Sequence, residues 1–175
     1  MSSPPSPAHA DVVTQRLVLR PWTVDEAVAV LDGIRSPHWA EDFPAEGDRV
    51  IAGLFDHHPD WLGTCGHRLV IERDSGSVVG SIGLFWPPGA GVLEIGYGVV
   101  TSRRGRGYAS EATRALAGFA LTLPDVHTVS ADVELSNAAS VRVLEKAGFH
   151  RWTTGENAAT FRFTRRRPGA GALMA

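Results

Sequence analysis

Residues 102–121 read SRRGRGYASEATRALAGFAL and bring Arg103, Arg104 and Arg106 together with Gly105 and Gly107, directly ahead of a helical pattern. The N-terminal end of a helix already carries partial positive charge and N–H groups without an intrahelical acceptor. Cations crowded there are unfavourable unless an anion sits among them. Glycines at 105 and 107 permit positive φ and let backbone N–H groups approach a ligand with no Cβ in the way. A strand, a glycine-rich loop and a helix in that order suit a phosphate, and arginine adds bidentate pairing with its oxygens. A diphosphate is the anion that fits best. The phosphate loop closed by Lys-Ser or Lys-Thr is missing, as is the three-glycine spacing of dinucleotide-binding turns. A surface turn with solvated arginines is the alternative when these residues are taken alone.

The chain around this loop has 175 residues, enough for one domain with its own core. A 43% hydrophobic, 21% charged composition with net charge −2 is that of a globular protein and argues against a nucleic-acid binder, which is usually basic. One cysteine, Cys65, excludes an intrachain disulfide framework and suits a reducing compartment. MSSPPSPAHA at the start lacks the basic and apolar regions of a signal peptide, and no apolar run approaches the ~18 residues of a membrane span. A cytoplasmic protein is expected, with no membrane partner. Residues 1–10 read as a disordered tail, 11–166 as a single domain and 167–175 as a flexible tail.

Within the domain, RLVLRPW alternates as a first strand. TVDEAVAVLDGI follows as a helix, with Thr23 and Glu26 at capping-box spacing and Ala27, Val30, Leu31 and Ile34 on its inner face. Residues 35–66 predict one short helix over 48–55 in otherwise irregular chain. GHRLVIERDSGSVVGSIGLF reads as a hairpin, and GVLEIGYGVV as a strand whose Gly96 and Gly98 signal a bulge or a close approach. A helix over 110–123 buries Ala112, Leu116, Phe119, Ala120 and Leu123 and stops at Pro124. HTVSADV alternates as a strand. NAASVRVLEKAGF forms a helix between an Asn137 N-cap and Gly148, and FHRWTT with ATFRFTRR makes a last hairpin. The fold class is α/β, with a mixed sheet flanked by helices.

RGRGYA, through Arg104, Gly107 and Ala109, resembles the acyl-CoA-binding pattern of the GNAT N-acetyltransferase superfamily. GYGVVTSRRGRGYASEA and NAASVRVLEKAGF are similar to that superfamily's two cofactor motifs at their usual separation, and TQRLVLRPWTVDEA resembles its RimJ/RimL-like branch of ribosomal-protein alanine N-acetyltransferases. The likeness spans 14 to about 164 and leaves 35–66 unmatched. It implies a single-domain, mostly antiparallel GNAT sheet and acetyl-CoA as co-substrate, with an amine acceptor that is a peptide N-terminus or a small molecule. Backbone groups of Val99 and Val100 would pair with the pantetheine arm. N–H groups of Arg104, Gly105, Arg106, Gly107, Tyr108 and Ala109 would hold the diphosphate, and Asn137 would bond the pantetheine near its thiol.

Acetyl transfer to an amine needs a neutral amine, an oxyanion donor and a proton for the departing thiolate. Many relatives supply that proton from a tyrosine whose position here is Leu144; in the RimJ/RimL-like branch a serine one turn earlier is the proposed donor, here Ser140. Ser140 is equally readable as a small residue for close helix packing. Glu94, flanked by Leu93 and Ile95, is the candidate base, with desolvation raising its pKa; a solvated strand glutamate is the alternative. Tyr97 and Tyr108 are weaker candidates for this chemistry. His57, His58, Cys65 and His67 match no tight metal-ligand spacing, so no metal is expected. Segment 36–61 holds Glu41, Asp42, Glu46, Asp48, Asp56 and Asp60 against Arg49 as its only Lys or Arg, a surface expected to draw a cationic amine, with Trp39 and Trp61 available to stack on it; a solvated acidic face with core tryptophans is the equal alternative. Two rival functions stay open on sequence: a catalytically silent acyl-CoA-binding module or sensor, and a nucleic-acid-binding protein using its arginines. Oligomeric state is open as well, a homodimer included.

Overall fold

The computed structural model describes residues 11–165. Both expected tails, and residue 166, lie outside the described residues. Eight strands form one sheet: β1 (Val12–Val13), β2 (Leu17–Pro21), β3 (His67–Glu72), β4 (Val78–Leu84), β5 (Val92–Val99), β6 (Thr128–Glu134), β7 (His150–Thr154) and β8 (Ala158–Thr164), in the order β1-β2-β3-β4-β5-β6-β8-β7. Four helices accompany it: α1 (Val24–Asp32), α2 (Glu46–Leu54), α3 (Tyr108–Ala120) and α4 (Ala138–Lys146). Every strand pairing is antiparallel except β5–β6.

That exception organises the molecule. β5 and β6 pair only over Val92–Thr128, Leu93–Val129 and Glu94–Ser130, after which they part while each continues. Beyond Glu94, β5 is bonded on its β4 side alone. The Val100 N–H donates to the Val79 carbonyl, so Gly98, one antiparallel step back, also turns its backbone groups toward β4. Tyr97 and Val99 therefore present theirs to the gap. The sheet is split at this point.

Register also assigns the faces. Ser81 pairs with Gly98 and Gly83 with Gly96, and Asp48 of α2 reaches Ser81, so these residues share the α1–α2 face. Ile82 pairs with Tyr97, and Tyr97 bonds Ser140 of α4, which defines the α3–α4 face. The core lies on both sides of β4, all of whose residues are buried.

Local chemistry explains most of the element boundaries. Thr23 and Glu26 exchange both bonds of a capping box at the start of α1, and Gly33 ends it at φ +71°. Ala27 and Val30 are buried as expected, but Leu31 and Ile34 are 52% and 60% exposed. Leu31 falls with Val24 and Val28 at i, i+4, i+7 on the outer face, and Ile34 follows the left-handed Gly33, where the helical direction is lost. α3 begins two residues earlier than its sequence pattern suggested, because Gly107 takes the N-cap in left-handed geometry. It ends at Ala120, and tight i to i+3 bonds carry Thr122 and Leu123 onward, so Phe119 and Leu123 are only partly buried and Pro124 lies beyond the helix. No bulge interrupts β4–β5 at Gly96 or Gly98; the close approach holds at Gly96, where a Cβ would stand 3.0 Å from the Phe85 ring, and not at Gly98, where it would meet nothing within 4 Å.

Candidate active site

Two clefts open at the split. The first, about 480 Å³, lies between the end of β5, the arginine-glycine loop and α4. Its rim is built by the chain direction itself. After Val99 a 3₁₀ turn, Thr101–Arg103, leads to an extended Arg104, then Gly105 at φ +78° and Gly107 at φ +79°. An L-residue pays about 1–2 kcal/mol to sit at such angles, so glycine is required by the turn. No side chain caps α3, which leaves its first-turn N–H groups from Tyr108 to Ser110 without intrahelical acceptors at the cleft wall. Glu111, the acid of that turn, is held away by Arg16 at 2.8 Å and by the Thr14 hydroxyl at 2.7 Å. Positive potential at the helix end is thus not cancelled within the cleft.

The arginines are not all free to meet a ligand. Arg106 lies 3.4 Å and Arg103 3.8 Å from Glu72, and Arg103 is also 3.5 Å from Glu41. Glu72 takes a further bond from the Tyr108 hydroxyl at 2.6 Å, which with the Ser75 hydroxyl and the two arginines holds its carboxyl below the usual range. The expectation of a self-repelling loop is corrected here: carboxylates from β3 and from the segment ahead of α2 offset two of its three charges. Arg104 is the one whose head group has no carboxylate partner among the described residues; its Nε donates to the Val99 carbonyl at 3.1 Å.

Gly105, Gly107, Tyr108, Ala109, Arg104, Val99, Asn137 and Ser140 all line this cleft. Arg106 does not, since its side chain turns to Glu72 and its carbonyl accepts from Arg16 at 2.7 Å. Val100 is buried, with its N–H taken by Val79 and its carbonyl by the Arg103 N–H, so the open backbone edge is at Tyr97 and the Val99 N–H, the Val99 carbonyl accepting from Arg104. Asn137 caps α4 through its carbonyl oxygen, accepting from the Ser140 N–H at 3.1 Å, and this leaves its amide N–H₂ for a ligand. Leu144 is fully buried in the core.

Tyr97 is closer to the chemistry than the sequence suggested. Its hydroxyl lies 2.7 Å from the Ser140 Oγ and 3.2 Å from the Ser140 carbonyl. Burial pushes the Tyr97 phenol pKa up, only partly opposed by the bond to Ser140, so it keeps its proton at neutral pH. Arg142 and Lys146, one turn apart on α4, also line the cleft, a pair not anticipated from the sequence. Their i, i+4 spacing after Asn137 was a signal in plain view.

The second cleft, about 440 Å³, lies on the α1–α2 face. Asp48, His67, Ser81, Phe85, Gly96 and Ile51 are among its walls, and Tyr97, Gly98, Val99 and Arg104 belong to both clefts. Tyr97 and Gly98 face opposite sides of the sheet, so the two spaces communicate where β5 leaves β6. Glu94 lies on the same face as Gly96 and Gly98, at the last β5–β6 pair, but lines neither cleft. Burial and the nearby Asp132 carboxylate push its pKa up, although the residue is exposed. Of the acidic segment, Asp42 accepts from the N–H and hydroxyl of Ser102, Glu41 meets Arg103, and Asp48 alone enters the cavity. Trp39 and Trp61 are each 8% exposed: Trp39 packs on Phe43, and Trp61 on His58, His67 and Phe85. They are core residues and offer no stacking platform.

The architecture has relatives. Over residues 16–150 the chain matches the acetyltransferase (GNAT) domain family. It is 34% identical over 82 residues to the uncharacterized N-acetyltransferase YjdG of Bacillus subtilis, covering 46% of this chain and 49% of that protein. The chain thus spans about half the length of the curated relatives it matches. Among solved structures, a GNAT-family acetyltransferase from Bacillus anthracis superposes with a TM-score of 0.65 at 20% identity, covering 89% of this chain and 98% of that one. The ribosomal-protein-S5-alanine acetyltransferase of Vibrio fischeri gives a TM-score of 0.61 at 13% identity, covering 89% and 96%; at such identities the likeness is one of fold. With the split sheet, the glycine loop at the head of α3 and the domain match together, the chain belongs to the GNAT acetyltransferase family.

Proposed function

We propose that this protein is an acetyl-CoA-dependent N-acetyltransferase acting on a primary amine by direct transfer in a ternary complex. The observation that carries the reading is the meeting of two clefts at Tyr97, Gly98 and Val99, beside a tyrosine–serine hydroxyl pair. Acetyl-CoA suits the first cleft on its own merits. Gly105 and Gly107 keep the loop free of Cβ atoms, and no atom lies within 4 Å of where one on Gly105 would stand. The first-turn N–H groups of α3 would hold the diphosphate, with Arg104, Arg142 and Lys146 adding charge. The edge of β5 at Tyr97 and Val99, which no strand covers, would take the amides of the pantetheine arm, and the Asn137 amide would bond it near the thiol.

When bound, the thioester supplies the acetyl group: a C–N bond forms to the amine, the C–S bond breaks, and the thiolate leaves. Protein groups handle the protons. Ser140 can donate its hydroxyl proton to the thiolate and regain one from the nitrogen of the collapsing adduct, while its Oγ accepts a hydrogen bond from Tyr97, which burial keeps protonated. Glu94, on the acceptor face with a raised pKa, would take the proton shed by the ammonium through water, since it lies outside both linings. The test is thiol release from acetyl-CoA with a panel of small amines and an alanine-initiated peptide, alongside mass analysis of the amine product. Acetyl-CoA-dependent product with at least one amine is expected. Tight CoA binding with no thiol release across the panel would favour a silent acyl-CoA-binding module.

A further inference from the structure

We propose that the cavity on the α1–α2 face is the acceptor site, and that Asp48 at its inner end selects an aliphatic amine carrying a second ammonium group. This rests on the acyl-transfer reading above and adds the acceptor's chemical class to it.

Asp48 is 4% exposed, and its two oxygens are held by protein donors: the Ala45 N–H at 2.8 Å on Oδ2 and the Ser81 hydroxyl on Oδ1. Ala45 has no side-chain oxygen to return the bond, so only half of a capping box exists, and the carboxylate remains fixed across the first turn of α2. Each oxygen keeps a free lone pair. No lysine or arginine forms an ion pair with Asp48 among the described residues. A buried carboxylate without a cation is costly, and burial accordingly pushes its pKa up against the two hydrogen bonds. The cavity beside it has apolar walls in Ile51 and Phe85.

His67 provides the second, independent observation. It is 2% exposed, lines the same cavity, and its Nε2 has no hydrogen-bond partner. Burial lowers its pKa to about 4, so at neutral pH it is uncharged and does not compete with a ligand cation for Asp48. The cavity walls therefore carry one carboxylate and one ring nitrogen without a hydrogen-bond partner, and each can accept from an ammonium with several N–H donors.

The reacting nitrogen cannot be the one held there. An amine must lose a proton before it attacks an acyl carbon, and pairing with a carboxylate favours its protonated form. The nitrogen on Asp48 is thus a second one, and the reactive amine lies toward the shared wall at Gly98, near Tyr97 and Ser140. A small diamine fits this division: one end charged and buried, an aliphatic middle against apolar walls, one end neutral at the split.

The test is calorimetric binding of 1,4-diaminobutane, butylamine and an alanine-initiated tripeptide to the full chain with CoA present, in the parent and in Asp48→Asn. Asparagine keeps an oxygen for the Ala45 N–H, so the variant should fold. Removing a buried carboxylate whose pKa is raised should leave thermal stability at neutral pH equal or higher, because the ionised form weakens the fold as pH rises through that pKa. The parent should bind the diamine at least about thirtyfold more tightly than butylamine, and Asp48→Asn should erase most of that preference while binding butylamine as the parent does. A diamine bound no better than butylamine, or bound equally by Asp48→Asn, would overturn the proposal. So would a tripeptide that outbinds the diamine with no dependence on Asp48. Asp48-dependent diamine binding without thiol release would count against acyl transfer and for the site.

Discussion

The cleft on the α3–α4 side draws its lining from two short runs of chain, 97–110 and 137–146, whereas the cavity on the α1–α2 side gathers single residues from 45–51, His67, 81–85 and 96–99. The first depends mainly on backbone: two positive-φ glycines, an uncapped helix end and the open edge of β5. The second depends on side chains, above all Asp48, Ser81 and His67, that share one face only because β3 and β4 pair beneath α2. A ligand read by backbone groups is the same wherever the motif occurs. One read by side chains from distant positions can differ while the fold stays. Cofactor binding and acceptor choice should therefore break separately.

The largest effect is expected from Gly107→Val. At φ +79° a β-branched residue is strained, and its Cβ would also press the Arg16 guanidinium at 3.4 Å. The loop would move and the N–H groups at the head of α3 would lose their alignment. CoA at 100 times its dissociation constant should stabilise the parent by about 2.7 kcal/mol, or roughly 5–10 °C for a domain of this size. Thermal unfolding of Gly107→Val should show almost none of that shift. If CoA still raises its midpoint as in the parent, the loop is not the diphosphate site.

Next come the two hydroxyls. Ser140→Ala should lower kcat by about a hundredfold, the lower part of the range for general acid catalysis, with little change in CoA affinity. Tyr97→Phe should cost about tenfold through loss of one hydrogen bond to Ser140. In the double variant the Tyr97 effect should vanish, because a residue acting through Ser140 has nothing left to act on. Additive losses would separate the two groups.

These contrasts track what could be read from the chain alone. The arginine-glycine loop and the Asn137 cap were legible because each is a contiguous signal, a loop or a cap, whose meaning is local, whereas Ser140 came into view only through the resemblance. The strands and helices were legible through periodicity, even where Leu31 turned to the outer face of the nine-residue helix and Ile34 fell beyond its end. Asp48 was visible only as one of six acids in a segment, and nothing local distinguished it from Asp42, which bonds Ser102, or Glu41, which meets Arg103. What sets it apart is Ser81, 33 positions away. The tryptophans differ for the same reason: composition allowed them an acceptor surface, while the bridge of Trp39 to Val78 and the packing of Trp61 on Phe85, both remote in sequence, put them in the core. Arg103 and Arg106 looked unopposed because Glu72 is remote in sequence.

The shared wall can be probed directly at Gly98. A Cβ there would meet nothing within 4 Å, and pairing with Ser81 directs it to the acceptor face. Gly98→Val is compatible with a strand and should fold normally. Its side chain would occupy the passage, so kcat/KM for the amine should fall by about tenfold or more, while CoA binding changes by no more than a few-fold. Equal losses in both would mean that the clefts are not separable at this point.

The smallest effect, and the one most dependent on conditions, is expected at Glu94. Burial and Asp132 raise its pKa, so it becomes a competent base only above the usual carboxylate range. As pH falls through that raised value, the parent should lose kcat/KM because Glu94 takes up a proton and no longer accepts one. As pH rises toward the amine's own pKa, a growing fraction of acceptor arrives neutral and needs no base. Glu94→Gln should therefore cost about tenfold between these limits and progressively less on the alkaline side, with the acid limb of the profile flattened. Its exposed position on the face of Gly96 and Gly98, outside either lining, requires the proton to pass through water, so a solvent isotope effect on kcat/KM should shrink in the variant. Steady-state kinetics across pH in both waters reads the limb and the isotope effect together. A profile superimposable on that of the parent would remove Glu94 from the acceptor side, leaving bulk water to take the proton.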